Sequence, residues 1–74
     1  MNAKEIGKKL IKLRESRTQK SIADEVGIAQ STYAMYESGK RIPNDNVKIK
    51  LAEVFSTTVQ ELFFWEKFSQ NARI

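Results

Sequence analysis

The chain has 74 residues and holds no Cys and no His. Its reactive repertoire is therefore limited to carboxylates, amides, hydroxyls and cations. A zinc site, a zinc-activated water, a thiol nucleophile and an imidazole base all need residues that are missing. Asp24, Glu25, Glu53 and Glu61 are single carboxylates at ordinary helix-surface spacing. No carboxylate pair, nucleophile–base pair or Gly-rich phosphate loop stands out. The expectation is a chain that is not an enzyme and uses no cofactor, metal or small-molecule ligand. What remains suits non-covalent recognition: Gln19, Gln30, Ser31, Thr32 and Ser38 offer hydrogen bonds, and Lys40 and Arg41 offer charge. Thirteen Lys and Arg oppose nine Asp and Glu, for a net charge of +4. Residues 1–41 carry nine positive and five negative side chains, and residues 42–74 carry four of each. All the excess therefore lies in the first half. That points to a polyanion, with nucleic acid the first candidate. A mildly basic, solvated surface would carry the same number.

These side chains need elements to hold them. A chain this short buries only about 60% of the surface that its unfolded form exposes, so one small domain is expected, over residues 1–68, with 69–74 frayed. No apolar run approaches the roughly 20 residues of a membrane span. The N-terminal stretch has charges but no apolar core of a signal peptide, and nothing marks a disulfide framework. A cytoplasmic location is the expectation.

Ile6, Leu10 and Leu13 recur at helical spacing over residues 4–14, with Lys8, Lys9 and Lys12 mostly off that face. Thr18 caps a short second helix near residues 19–26, and Gly27 ends it. A third helix covers residues 30–37, with Tyr33 and Tyr36 on one face and Gly39 at its end. Asn44 or Asp45 caps a fourth, whose apolar side is Val47, Leu51, Val54 and Phe55. Thr58 and Glu61 form a capping box for a fifth, with Val59, Leu62 and Phe63 inward. No segment alternates with period two for long enough to form a strand. The fold class is all-α, five short helices in one domain.

Helices two and three must cross steeply, because too few residues join them for an antiparallel hairpin. Ala23 supplies the small residue where the backbones meet, and Gly27 the positive φ that the turn needs. Ile22, Val26, Ile28, Tyr33 and Tyr36 supply inward bulk. With Gln19 as the first position, apolar residues fall at the fourth, eighth, tenth, fifteenth and eighteenth, a small residue at the fifth and glycine at the ninth. This pattern resembles the helix-turn-helix of the phage-repressor-like (Cro/repressor, or Xre) family. The likeness continues in Leu13-Arg14-Glu15, in the loop Glu37-x-Gly39-Lys40-Arg41-x-Pro43, and in the apolar runs of helices four and five. It covers roughly residues 5–63. Two features depart from the family. Two residues fewer separate Arg14 from Gln19, so that turn must be tighter. Ala29 stands where the family commonly has a Ser or Thr cap, at a cost of about 0.5–2 kcal/mol of helix stability.

The resemblance implies a compact lambda-repressor-like domain and binding of double-stranded DNA. In this motif class the third helix lies in the major groove, with its first residues at base edges. Gln30, Ser31, Ala34 and Met35 match the base-reading positions. Gln30 suits bidentate bonding to adenine, and Ala34 and Met35 suit a thymine methyl, so A·T-weighted readout is expected. Gln30 could instead bond phosphate or support Gln19, and Met35 could pack partly in the core. The resemblance assigns Gln19 to a phosphate at the start of helix two. Ser38, Gly39 through its amide, Lys40 and Arg41 should flank further phosphates. Thr32 either bonds phosphate or stabilises its helix. Lys8, Lys9 and Lys12 face either solvent or DNA, and Arg17 and Lys20 could go either way. Arg14 and Glu37 match a structural pair that bridges helix one to the end of helix three.

Phe63, Phe64, Trp65 and Phe68 are many large apolars for one short helix to bury. An exposed patch built on Phe64, Trp65 and Phe68 would serve a homodimer contact; the alternative is a tail folded back on the core. The leading functional expectation is a dimeric transcriptional regulator, a repressor, of bacterial or phage type. The competing one is a protein-interaction module, such as an antitoxin or adaptor, on the same fold.

Overall fold

The computed structural model describes residues 2–65; the tail from residue 66, including Phe68 and the segment 69–74, lies outside the described residues. Five helices follow one another: α1 (Ala3–Arg14), α2 (Gln19–Val26), α3 (Gln30–Ser38), α4 (Asp45–Val54) and α5 (Val59–Phe63). No strand occurs among the described residues, and no helix there is long and apolar enough to cross a membrane. The helices start and stop within a residue of the boundaries read from sequence.

Local chemistry sets those boundaries. Asn2 Oδ1 accepts the N–H groups of Lys4 and Glu5 and starts α1. Thr18, Asn44 and Thr58 each accept an N–H from the residue three positions on, which satisfies a donor the helix leaves free. Gly39 closes α3 in the left-handed region at φ 79°. Its N–H reaches the Tyr36 carbonyl, and the Lys40 N–H reaches that of Met35, a Schellman arrangement. Ser56, with φ 54°, closes α4 the same way: its N–H reaches the Glu53 carbonyl, and the Thr57 N–H reaches that of Ala52.

The core is one cluster, with Ile6 and Leu10 from α1, Ile22, Ala23 and Val26 from α2, Tyr33 and Tyr36 from α3, Leu51 and Ala52 from α4, Phe55, and Leu62 and Phe63 from α5. α3 packs against α1 and α2, while α5 packs against α4 and α1. One contact in this frame has no counterpart in the apolar pattern. Gly7 lies on α1 where it crosses the end of α3. A methyl group there would overlap the Glu37 carbonyl oxygen and lie 2.8 Å from its carbon and 2.9 Å from the Tyr36 oxygen. Backbone meets backbone, so nothing flexible can yield.

The α1–α2 connection is tight, as its length demands. Glu15 takes φ 54°, ψ −126°, and the Arg17 N–H bonds to the Arg14 carbonyl at 3.1 Å. These angles mirror the first central residue of a type II turn, a conformation that glycine adopts freely and glutamate does not. The strain is worth about 1–3 kcal/mol.

Two stability predictions result. Glu15→Gly should raise the unfolding free energy by about 1 kcal/mol, because the relieved strain exceeds the entropic cost of glycine. A denaturant midpoint that fails to rise would show that the turn is not strained. Gly7→Ala should destabilise by about 2–3 kcal/mol through overpacking, although alanine is the better helix former by about 1 kcal/mol. A neutral or raised midpoint would contradict the close approach.

Candidate nucleic-acid interface

α2 and α3 are joined by Gly27, Ile28 and Ala29 alone. Gly27 sits at φ 87°, and the N–H groups of Gly27 and Ile28 both reach the Ala23 carbonyl, at 2.8 and 3.0 Å. Ala23 is wholly buried at the crossing. With Tyr33 and Tyr36 held inward, α3 turns its other side out. Gln30 and Ser31 are exposed at its start, and Ala34 and Met35 are half-buried further along. These are the four residues expected to read bases, and they share one ridge. Met35 divides itself between this ridge and the interior. Thr32 is half-buried. Ala29 makes no side-chain cap bond, as its methyl group dictates.

Behind the ridge lies a buried charge cluster. The Glu37 side chain is only 4% exposed. Arg14 Nε donates to Glu37 Oε2 at 2.6 Å and Arg14 Nη2 to Oε1 at 3.0 Å, a bidentate pair. Gln19 Nε2 donates to the same Oε1 at 2.9 Å, and Arg14 Nη1 reaches the Arg17 carbonyl at 2.8 Å. One carboxylate thus gathers the end of α1, the start of α2 and the end of α3. Burial pushes the Glu37 carboxyl up, but the hydrogen bonds from Arg14 and Gln19 outweigh burial and hold it below its ordinary value. The bond to Glu37 raises Arg14 in turn. Burial pushes the Tyr33 hydroxyl up, and this oxygen lies buried without a hydrogen-bond partner among the described residues.

The cations gather less tightly. Lys40 and Arg41 are exposed after the α3 turn, and neither forms an ion pair among the described residues. Lys20 is paired with Asp24 at 3.0 Å. Arg17 stacks over the Phe55 ring at 5.3 Å and donates to the Leu13 carbonyl. Ser38 donates its hydroxyl proton to the Met35 carbonyl.

The structure adds three details to these expectations. The Gly39 N–H, expected near a phosphate, bonds the Tyr36 carbonyl at 3.3 Å in the turn that closes α3. Gln19, expected at a phosphate, has its amide N–H on Glu37, and no bond joins it to Gln30 among the described residues. The aromatic segment does find cover. Phe63 is a core residue at 1% exposure, while Phe64 and Trp65 are half-buried against the core. Lys48, a buried residue of α4, lies 5.2 Å from the Phe64 ring centre and 5.8 Å from that of Phe63. Lys9 sits 4.5 Å over Trp65 and bonds the Glu61 carbonyl. Two lysine stems cover apolar surface that the count of aromatics alone would leave bare. The third proposed dimer residue, Phe68, lies outside the described residues.

The Glu37 cluster makes stability depend on pH. The folded state binds this proton less readily than the unfolded chain. The stabilisation is therefore complete above the ordinary glutamate range, about pH 4.3, and is lost as pH falls through the lowered folded value. Glu37→Gln should cost about 2 kcal/mol at pH 7, as expected for lost charge-assisted hydrogen bonds, and should flatten the acid limb of the stability curve. Urea titrations from pH 7 downward, on both proteins, check this. Parallel acid limbs would remove Glu37 as the titrating group.

Comparison with known proteins comes to the same motif. The helix-turn-helix family model matches residues 8–62. The HTH-type transcriptional regulator AnsR of Bacillus subtilis is 46% identical, over 85% of this chain and 59% of AnsR. The cryptic phage CTXphi transcriptional repressor RstR of Vibrio cholerae is 36% identical, over 64% of this chain and 42% of RstR. An HTH-type transcriptional regulator of Archaeoglobus fulgidus is 33% identical, over 66% of this chain and 70% of its own length. The chain thus spans little more than half of AnsR and less than half of RstR. No solved structure gives a significant match. The family match over most of the chain, and the α2–α3 crossing built on Ala23 and Gly27, place this protein in the helix-turn-helix family of the phage-repressor type.

Proposed function

We propose that this protein is a sequence-specific double-stranded DNA-binding transcriptional regulator, a repressor, that reads the major groove with α3. The observation that carries this reading is the outward ridge of Gln30, Ser31, Ala34 and Met35. It is held from behind by the Glu37 cluster and followed, after Gly39, by Lys40 and Arg41, which are unpaired among the described residues. Base edges are read by short polar and methyl-bearing side chains at the start of such a helix, and cations beside it fix its register on phosphates. The three relatives named above carry regulator or repressor in their names, which agrees with this assignment. Two copies would place two α3 helices about 34 Å apart on successive turns of the duplex. The half-buried Phe64 and Trp65 are the candidates for the contact between copies.

Enrichment of bound duplexes from a random library, followed by mobility shift across salt concentrations, tests the reading. A defined, A·T-weighted site is expected, bound more weakly as salt rises. Gln30→Ala should cost about 1–3 kcal/mol and relax preference at one base pair. Lys40→Ala should weaken all sequences alike. Salt-independent binding, or none, would leave the competing role as a protein-interaction module. Sedimentation of the wild type beside Trp65→Ala tests the dimer, which the variant should weaken.

A further inference from the structure

The basic residues of α1 do not have equal standing. Lys8 lies within 3.9 Å of Glu5, and Lys9 is spent on Trp65 and the Glu61 carbonyl. Lys12 stands further along the helix, beside the α1–α5 groove that Glu5, Lys8, Lys9 and Trp65 also line. Lys4 differs from all three. It is exposed on the first turn of α1, and its stem is laid against the turn that closes α3. A methyl group built on Gly39 would come within 2.9 Å of Lys4 Cγ and 3.0 Å of its Cα. Lys4 forms no ion pair among the described residues. Its acidic neighbour Glu5 faces Lys8, and the buried Glu37 is occupied by Arg14 and Gln19.

The next two residues after Gly39 are Lys40 and Arg41. Three cations from two distant parts of the sequence, unpaired among the described residues, therefore lie at or beside one glycine, at the C-terminal end of the proposed reading helix. We propose that Lys4 is a phosphate-binding residue of this protein. It would act with Lys40 and Arg41 on the DNA backbone, so that the first turn of α1 forms part of the interface. Gly39 makes this possible, because any side chain there would push Lys4 away from the loop. The contact carries no base information; it adds affinity and fixes register.

This inference rests on the DNA-binding reading, and the experiment separates the two. Binding to the duplex enriched by the wild type is measured across salt concentrations for the wild type, Lys4→Gln and Lys8→Gln. Glutamine keeps most of the stem, and thermal melts check that each variant folds like the wild type. One phosphate contact contributes about 0.9 to the log–log salt slope. Lys4→Gln should therefore flatten the slope by about that amount per bound chain and weaken all sequences equally. Lys8→Gln should keep the wild-type slope. A wild-type slope in Lys4→Gln, with the wild type itself binding in a salt-dependent way, overturns the Lys4 contact alone. Absence of salt-dependent binding by the wild type overturns the DNA-binding reading and the Lys4 contact together.

Discussion

A carboxylate taken out of water must be paired, and in this small domain that demand organises everything around it. Glu37 is at the end of α3, where the helix dipole disfavours negative charge, and it is nearly fully buried. Only charge-assisted hydrogen bonds of good geometry offset such a position. Arg14 supplies two and Gln19 a third. To deliver them, α1 must end, α2 must begin and α3 must close within one shared volume. The strained Glu15 turn is what brings Arg14 and Gln19 there across so few residues. The bare backbone contact at Gly7 lets α1 lie close enough to α3 for the same purpose. The outward ridge of α3 is fixed in rotation because its inward side is tied to both neighbours.

Much of this was legible in the sequence, and for a physical reason. Helix limits follow from caps and left-handed glycines, which are local, and Thr18, Gly27, Gly39 and Thr58 each act where their types suggest. The α2–α3 crossing was legible because a short connection, a small residue and a glycine leave few geometries. Burial of Tyr33 and Tyr36, and with it the outward side of α3, follows from spacing alone.

The parts that were not legible depend on contacts between distant segments. Nothing near Gly7 signals that it faces the end of α3; the only cue is a glycine inside a helix, where it would otherwise cost stability. Gln19 looks like a free amide until Glu37 is seen beside it. Lys48 reads as a surface lysine, yet its stem lies in the interior next to Phe63 and Phe64. The cover over Phe64 and Trp65 was not legible because pattern counting treats lysine as polar, although most of its length is hydrocarbon. The αL closure at Gly39 was legible, but the bond its N–H makes to Tyr36 was not.

The lysine over Trp65 has a practical consequence. Trp65 is the chain's sole tryptophan, and it lies at the α1–α5 junction under the Lys9 ammonium group. Its emission therefore reports whether α5 is docked on α1. The tyrosines are placed the other way: Tyr33 and Tyr36 both belong to α3. The two kinds of chromophore divide the molecule between them. Intrinsic fluorescence excited at the tryptophan alone can follow the opening of the α5 edge, with no label added.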